Sequence, residues 1–481
     1  MGLHVVIVGG GIAGLSTAWY LQQEVAAKGL DITYTVLEEG SRWGGKILTE
    51  EVVWGENGRF TIEAGPDAIL TQKPWALQLA KQIGLQDALL PTNQLPQQVF
   101  VWQKKRPIPM PDGLFLTVPT RLMPFARSPL ISPSGKLRMG LDWVIPPRRD
   151  AADESLADFV RRRLGKEALD KIAEPMMAGI YNADAEQLSL LATFPRFREL
   201  EQKYGSLIRG MLAARRSRKA AGHGRSALTP FVSFTGGMRM LVERLVPMLD
   251  GECRLKTGVT AIQPLPDGRY CLMLNTGHAL TADVVVLAVP AYVAARLIRP
   301  FASEAAHLLD AIRYVSTGTI SLAYPIASIK RPLNGFGMVI PRSQNRPINA
   351  ITCTYLKFNR RAPEGYALFR IFFGGSRHPE MIDLTDIELL TVVQQELALM
   401  LGITAEPVLH RIYRWRQGNP QYDVGHLARV DAIEAALPAG LYVTGSPYRG
   451  VGVPDCVRQG QETAVRLVQT ATQSQLTPLK I

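Results

Sequence analysis

The chain has 481 residues and a formal net charge of +12, with 47% hydrophobic and 20% charged residues. This length and composition are typical of a globular protein with two or three subdomains and exclude a largely disordered chain. The sequence contains no apolar run of 18 residues, and its first apolar run begins at His4 without a charged segment before it. We therefore expect a cytoplasmic protein without a transmembrane helix or a signal peptide.

Basic residues outnumber acidic residues by 54 to 42, which favours anionic partners such as a carboxylated ligand, a lipid surface or nucleic acid. The densest basic cluster, RRSRK at 215–219, is accompanied by no zinc-finger, basic-zipper or RNP motif, so no nucleic acid partner is expected. The four cysteines form no C-x-x-C pair and the seven histidines form no H-x-x-x-H pattern. Neither a disulfide framework nor a metal site is expected.

The stretch from residue 4 to residue 39 predicts a strand, a glycine-rich turn, a helix and a second strand. The apolar run HVVIV is followed by Gly9, Gly11 and Gly14 in the spacing G-x-G-x-x-G, and the second strand ends at Glu38. In a dinucleotide-binding unit these glycines permit a tight turn, close approach of the backbone to a pyrophosphate, and close packing of the helix on the strand. The phosphates then lie at the helix N-terminus, and Glu38 accepts hydrogen bonds from ribose hydroxyls, which disfavours NADP.

The residues after Glu38 favour FAD over NAD. They read EGSRWGGKILTE, so that Arg42 precedes Gly44, Gly45 and Lys46 in the spacing E-x(5)-G-G-[RK]. Glycines there let the main chain reach the cofactor, and basic side chains offset phosphate charge. The pattern resembles that of the large flavoprotein group that contains amine oxidases, phytoene desaturases and protoporphyrinogen oxidases.

The residue composition and the predicted secondary structure change twice in the middle of the chain. Residues 115–228 predict helices, as in 154–181, and the apolar and basic residues of 111–144 fit either a membrane-surface helix pair or a core-packed helical subdomain. Residues 253–291 predict strands around a hairpin-like turn, and 310–374 alternate β-branched and aromatic residues as the strands of a mixed sheet do.

A second glycine-rich link lies near the C-terminus, where GSPYRGVGVPDC at 445–456 joins an apolar run to a helix-like run. Gly445 is predicted to end a strand, and Gly450 and Gly452 to let the main chain pass close to a ligand. Pro454 is predicted to lie in the first turn of the helix, and Cys456 to be a packed helix residue. This link therefore predicts the far wall of the same FAD site.

Together these segments predict an α/β fold, α+β overall, because parts of one α/β unit recur at both ends of the chain. The expected FAD-binding domain is Rossmann-like and comprises 1–75, 229–295 and 409–481. The expected substrate domain is built on a mixed sheet and comprises 76–114 and 296–408. A helical domain is expected over 115–228.

Several sequence segments resemble those of the family of oxygen-dependent protoporphyrinogen and coproporphyrinogen III oxidases of haem biosynthesis. They are VVIVGGGIAGLSTAWYL, EAGPDAI (63–69), GIYNADAEQLSLLATFP (179–195), SFTGGM (233–238), LNGFGMVIPR (333–342), YRWRQGNPQYDVGH (413–426) and GSPYRGVGVPDCVRQG (445–460). The resemblance implies a non-covalently bound FAD and oxidation of a porphyrinogen to a porphyrin in three two-electron steps, with oxygen reduced to hydrogen peroxide. It also implies that the helical domain is of the membrane-associating type, and it leaves the oligomeric state open.

The resemblance implies which residues hold FAD. The dinucleotide-binding positions are Gly9, Gly10, Gly11, Ile12, Ala13, Gly14, Glu38, Glu39, Arg42, Gly45 and Lys46. The loop that passes the flavin consists of Gly65, Pro66, Asp67 and Ala68. Val259 is expected on the adenine side, Trp415 near the isoalloxazine, and Val453, Pro454 and Asp455 at its pyrimidine end. No side chain is singled out as a catalytic base, because the flavin carries the chemistry.

The substrate contacts are a separate set of expectations. Lys73 and Arg106 are candidates for pairing with substrate propionates, and Ile180, Phe336 and Met338 for sandwiching the macrocycle. The residues at 351–374 resemble the soluble bacterial branch of the family, which prefers coproporphyrinogen III.

Coproporphyrinogen III is therefore the expected substrate, and its four propionates suit a protein of net charge +12. Protoporphyrinogen IX, which has two propionates, is the alternative. An amine-oxidase-like flavoenzyme and a non-catalytic FAD-binding protein are alternatives of other classes. The phrase W-x(4)-P-Q-Y-x-x-G-H at 415–426 disfavours the amine oxidase.

Overall fold

The structure is a computed structural model that describes residues 2–56, 58–94, 98–111, 114–115, 118–119, 122–176, 181–220 and 229–476. Ile180 and parts of the predicted helix pair at 111–144 lie outside the described residues. No helix of the described part is both long and apolar enough to cross a membrane.

Strands are found in both halves of the chain and are numbered here in chain order. They are β1 Leu3–Val8, β2 Ile32–Leu37, β3 Thr49–Trp54, β4 Gly58–Glu63, β5 Ile69–Leu70, β6 Leu89–Pro91, β7 Val99–Gln103, β8 Arg106–Pro109, β9 Leu114–Phe115, β10 Val118–Pro119, β11 Phe231–Phe234, β12 Glu252–Arg254, β13 Val259–Pro264, β14 Tyr270–Leu274, β15 Ala279–Ala282, β16 Val284–Leu287, β17 Tyr314–Pro325, β18 Gly337–Val339, β19 Ile348–Cys353, β20 Tyr366–Gly374, β21 Leu409–Pro420 and β22 Leu441–Val443.

The α-helices are numbered in the same way. They are α1 Ile12–Lys28, α2 Trp75–Gln82, α3 Leu122–Arg127, α4 Pro133–Gly140, α5 Leu156–Arg163, α6 Lys166–Ala168, α7 Leu190–Thr193, α8 Pro195–Tyr204, α9 Leu207–Ala220, α10 Arg239–Leu245, α11 Ala291–Ile298, α12 Ser303–Asp310, α13 Thr354–Lys357, α14 Asp386–Leu401, α15 His426–Ala436 and α16 Val453–Leu476.

A parallel five-stranded sheet in the order β12-β2-β1-β16-β22 unites the beginning, the middle and the end of the chain. The central strand is continuously apolar because both faces of the sheet are covered. One face packs on α1, α2, α10 and α16, and the other on β13–β15 with α11, α12 and α15. The carboxyl ends of β1 and β22 each lead into a glycine-rich link and then a helix, α1 and α16.

The helices α1 and α16 pack closely on each other because Gly460 has no side chain at the contact. A Cβ added to Gly460 would lie 2.8 Å from the carbonyl oxygen of Ala13 and 2.9 Å from the nitrogen of Thr17. This contact fixes the two helix N-termini side by side at one edge of the sheet.

A second, mixed sheet has seven strands in the order β21-β17-β20-β19-β18-β7-β8, in which only the β18–β7 pair is parallel. One face packs on α14, with Phe369 and Ile371 among its core residues. Arg370 lies between these two residues and therefore points to the other face. Helix α14 begins with a capping box formed by Thr385 and Glu388.

The helices from α3 to α9 form a third unit with its own apolar core, which includes the stacked rings of Phe159 and Phe197. A buried ion pair between Arg163 and Asp142 joins the end of α5 to the turn after α4, and Asp142 also accepts from the hydroxyl of Ser206, just before α9, at 2.6 Å.

The predicted α/β class is confirmed. The predicted domain boundaries stay a prediction, but two segments pair differently from the proposed division. Strand β21, at 409–420, hydrogen-bonds along β17 and belongs to the seven-stranded sheet. Helix α12, at 303–310, packs in the core of the parallel-sheet unit.

Candidate cofactor and substrate site

The glycine-rich turn after β1 has the geometry that close approach of a ligand requires. Gly9 has a φ of +113°, and a Cβ there would lie 2.6 Å from the carbonyl oxygen of Ala288. A Cβ on Gly14 would lie 2.0 Å from the oxygen of Gly9, so this glycine lets α1 pack on the turn. A Cβ on Gly11 would meet no atom within 4 Å. The backbone of Gly11 is therefore open on the side where a phosphate would lie.

Glu38 is fixed at the end of β2 by backbone donors. Its two carboxylate oxygens accept from the N–H groups of Gly10 and Gly40, each at 2.8 Å. The carboxylate thus lies directly beside the glycine turn, as a ribose-binding acid must. Its neighbour Glu39 is exposed and lies against Gly258, next to the buried Val259 at the start of β13.

The second predicted element folds against the first. Gly44 donates to the oxygen of Gly10 at 2.8 Å, and Gly45 lies close to Gly11. The guanidinium of Arg42 donates to the carbonyl oxygens of Gly45 at 2.6 Å and Ile47 at 3.1 Å, so it braces this loop.

The ammonium of Lys46 donates to the carbonyl oxygen of Gly418, and burial lowers the pKa of this lysine. The contact of Lys46 brings the turn after Gly45 to the end of β21. A phosphate role for Arg42 and Lys46 stays a prediction.

The half-buried loop of Gly65, Pro66, Asp67 and Ala68 is held from the seven-stranded sheet. Arg370 of β20 donates to the carbonyl oxygens of Ala64 at 3.2 Å and Gly65 at 2.5 Å. The indole N–H of Trp415 donates to the same oxygen of Ala64 at 3.0 Å. Trp415 and this loop therefore come together, although 351 residues separate Ala64 and Trp415.

Asp67 forms an ion pair with Lys357, 2.7 Å from its carboxylate. Burial alone would raise the pKa of Asp67, but the charges of Lys357 and Arg370 outweigh it and hold that pKa below its usual value. Burial raises the pKa of the nearby Glu63 and lowers those of Arg361 and Arg370. A small cavity beside the loop is lined by four of these five charged groups, namely Glu63, Asp67, Arg361 and Arg370.

Sequence reasoning missed Arg370, Lys357 and Arg361. A signal was available for Arg370, because it is the one charged residue in the apolar strand sequence YALFRIFFG. An arginine inside such a strand must find carbonyl or carboxylate partners when it is buried. The positions of those partners, however, could not be read from the strand.

The C-terminal link lies beside the first turn of α1, next to the first glycine turn. Gly445 and Gly450 have φ values of +115° and +131°, and a Cβ on Gly445 would lie 3.3 Å from that of Ala13. Helix α16 begins at Val453, so Pro454 lies in its first turn as predicted. Cys456 is buried in the core, and burial raises the pKa of its thiol to about 12. A thiol with that pKa is not a nucleophile at neutral pH.

Asp455 and Lys73 are brought together, although they were predicted to serve the flavin and the substrate separately. The ammonium of Lys73 donates to both carboxylate oxygens of Asp455, at 2.7 and 2.6 Å. Phe336 is half-buried, and its backbone links Gln98 to Cys353.

The structure does not bring Met338 and Arg106 to the cluster of Trp415 and Arg370. Met338 is buried on the face of the seven-stranded sheet that packs on α14, away from Arg370. Arg106 is exposed on β8, and six strand spacings, about 29 Å, separate this edge of the sheet from β21.

The residues at this edge of the parallel sheet fit FAD. The open side of Gly11 would be filled by any Cβ, and α1 begins there without a side-chain cap, so its first N–H groups are available to phosphates. The N-terminus of α16 offers a second set of backbone N–H groups. The two helix N-termini suit the diphosphate of FAD, and Glu38 at the end of β2 suits its ribose. Trp415, beside the loop at 65–68, suits the flavin ring.

The comparisons with known proteins point the same way. The family model described as flavin containing amine oxidoreductase matches residues 12–468. The coproporphyrinogen III oxidase of Bacillus subtilis is 35% identical over 95% of this chain and 96% of its own. Protoporphyrinogen oxidase 1 of Arabidopsis thaliana chloroplasts is 32% identical over 96% of this chain and 87% of its own.

A crystal structure described as a protoporphyrinogen oxidase from Exiguobacterium sp. 255-15 superposes with a TM-score of 0.84. It is 32% identical over 98% of this chain and 99% of its own. Putrescine oxidase superposes with a TM-score of 0.69 at 18% identity, which shows a shared fold alone.

The chain therefore belongs to the flavin-containing amine oxidoreductase family. It is an oxidoreductase whose cofactor is FAD.

Proposed function

We propose that the chain oxidises coproporphyrinogen III to coproporphyrin III in haem biosynthesis. The observation that carries the proposal is full-length similarity to bacterial relatives. Three bacterial proteins named coproporphyrinogen III oxidase are 33–35% identical over at least 95% of this chain. Plant proteins named protoporphyrinogen oxidase are 27–32% identical.

The reaction removes six hydrogen atoms from the macrocycle in three steps, and each step reduces one oxygen molecule to hydrogen peroxide. Bound FAD supplies the two-electron acceptor in each step. The protein has to bind and orient both partners and exclude competing reactions.

The chain's own residues support these tasks in different ways. The turn Gly9–Gly14 and Glu38 would hold the dinucleotide, while Arg370 and Trp415 fix the loop at Ala64 that is predicted to pass the flavin. Lys73 is the candidate for a substrate propionate. Two of its three ammonium hydrogens already go to Asp455, so one donor is left for a carboxylate.

The test is turnover of purified, FAD-loaded protein with coproporphyrinogen III and with protoporphyrinogen IX. Porphyrin fluorescence and oxygen consumption are followed together. We expect a higher kcat/KM for coproporphyrinogen III than for protoporphyrinogen IX, with three oxygen molecules consumed for each porphyrin formed. Equal or reversed values would contradict the proposal, and reversed values would favour protoporphyrinogen IX.

Amine oxidation and FAD binding without catalysis are the other outcomes that this test separates. Under nitrogen, yellow protein that is bleached by a porphyrinogen excludes a purely non-catalytic role. Bleaching by primary amines and not by porphyrinogens would contradict the proposed reaction. Colour that persists with both substrates would indicate a non-catalytic FAD-binding protein.

We also propose that the helical unit contacts an anionic lipid surface. Five apolar side chains between α3 and the residues after α4 are 44–72% exposed, namely Met123, Leu137, Leu141, Trp143 and Val144. The guanidinium of Arg209 lies 5.0 Å from the centre of the Trp143 ring. Apolar residues among basic ones suit binding at the headgroup level rather than insertion across the bilayer.

Flotation with vesicles tests this surface. Wild-type protein should float with vesicles that contain phosphatidylglycerol and less with phosphatidylcholine alone, and the double variant Leu137→Glu, Val144→Glu should not float. The control is Ile387→Glu, because Ile387 is 79% exposed on α14 in the other sheet unit. Equal flotation of the double variant and the control would contradict the proposal.

A further inference from the structure

We propose that Tyr422 and His426 are positioning residues of the FAD site, which hold the glycine-rich link at 445–452 in its ligand-binding shape. Both belong to the phrase P-Q-Y-x-x-G-H that leads from β21 into α15. The sequence motifs predicted no role for either residue. The inference rests on the FAD site and not on which substrate is oxidised.

Tyr422 bonds two backbone groups of the link at once. Its hydroxyl donates to the carbonyl oxygen of Ser446 at 2.6 Å and accepts from the N–H of Gly450 at 2.8 Å. The side chain is 1% exposed, so no solvent replaces these bonds. One hydroxyl therefore clamps the start of the link to its end.

His426 bonds a third backbone group between those two. Its Nε2 lies 2.8 Å from the carbonyl oxygen of Tyr448, and because a carbonyl can only accept, Nε2 carries the proton. The imidazole is stacked on the Tyr422 ring, with 4.0 Å between the centroids and 14° between the planes. The two side chains thus form one rigid support.

The link needs support from outside because its own sequence resists a fixed shape. Gly445 and Gly450 have positive φ values and large backbone freedom in the unfolded chain, and Pro447 has no N–H to donate. The other face of the link is held by α16, where Gln459 and Arg458 bond the backbone of Arg449 and Gly450. Tyr422 and His426 supply the opposite side.

Tyr422 and the neighbouring Gln421 also contact Tyr181. The ring of Tyr181, the first described residue after Ile180, lies 6.4 Å from that of Tyr422, centroid to centroid. The side-chain amide of Gln421 donates to the carbonyl oxygen of Tyr181 at 3.4 Å. The motif therefore lies between the glycine-rich link at 445–452 and Tyr181.

The Tyr422→Phe variant tests the clamp, because it removes one oxygen atom and keeps the ring. We expect the Kd for FAD to rise about tenfold, as the loss of two buried hydrogen bonds implies. The amide of Gly450 should also exchange with solvent faster in the FAD-free protein.

The matched control is Tyr270→Phe. The Tyr270 hydroxyl donates to the carbonyl oxygen of Ala439 at 2.6 Å, and Ala439 precedes β22 whereas the link follows it. This variant should lower Tm without changing the Kd for FAD. Equal FAD affinities for the two phenylalanine variants would overturn the role of Tyr422.

Two replacements of His426 test the imidazole. A glutamine amide can donate from the position of Nε2, so His426→Gln should keep the Kd for FAD within about twofold, whereas His426→Leu should raise it about tenfold. Equal affinities in both variants would overturn the role of His426. If His426→Leu does not fold, its failure alone decides nothing, and Tyr422→Phe against its control decides the proposal. FAD binding is measured without a porphyrinogen, so none of these outcomes depends on the proposed reaction.

Discussion

Lys73 donates to both carboxylate oxygens of Asp455, at 2.7 and 2.6 Å, although 382 residues separate them in the chain. The ion pair joins the turn before α2 to the first turn of α16. The Asp455 side chain is 9% exposed and that of Lys73 is 39% exposed. Loss of the ion pair should therefore cost the buried carboxylate of Asp455 more free energy than the more exposed ammonium of Lys73.

Removal of the two partners should have unequal costs. We expect Lys73→Met to lower the free energy of unfolding by about 1–3 kcal/mol, because it leaves a buried carboxylate without its donor. Asp455→Asn should cost less than about 1 kcal/mol, because water screens and solvates the half-exposed ammonium. Urea unfolding of both variants and of the double variant measures the difference and the coupling. Equal costs would show that Asp455 has other partners in solution.

The glycines of the first turn should separate binding from folding. Gly11→Ala adds a methyl group where no atom lies within 4 Å, so we expect stability within about 0.5 kcal/mol of wild type and FAD affinity at least tenfold lower. Gly14→Ala places its methyl group 2.0 Å from the oxygen of Gly9 and should destabilise the fold itself. Titration of FAD-free protein with FAD, together with thermal unfolding, compares them. Unchanged FAD binding by Gly11→Ala would contradict the phosphate position.

Local patterns in the sequence were sufficient for the first turn but not for its surroundings. The order of strand, turn, helix and strand at 4–38 depends on neighbouring residues, so the spacing of the glycines and Glu38 anticipates the contact of Gly10 with Glu38. Assignment of β21 to the mixed sheet depends on its pairing with β17, about a hundred residues earlier in the chain. The face of the sheet that Met338 takes could not be predicted for the same reason, since strand register decides which face a side chain takes.

The ion pair of Asp67 and Lys357 should make the stability of the fold depend on pH in the acidic range. The folded-state pKa of Asp67 lies below its ordinary value of 3.8, so its contribution is present above that pH and is lost as the pH falls below it. Asp67→Asn should therefore be less stable than wild type at pH 7, and the difference should shrink as the pH falls below about 4. Thermal unfolding across this range checks it. A difference that is constant with pH would mean that the charge of Asp67 is not responsible.

His426 should make stability depend on pH in a higher window. Burial lowers its pKa from 6.5 to about 4, in a setting where Tyr422 stacks on the ring and Arg429 and Arg449 are the nearby cations. A histidine with a lowered pKa contributes stability that is complete above pH 6.5 and is lost as the pH falls towards 4. We expect the Tm of wild type to fall by a few °C more than that of His426→Gln between pH 7 and pH 5, because glutamine does not titrate. Differential scanning calorimetry of both FAD-loaded proteins measures it, and parallel curves would show that His426 is not the titrating group.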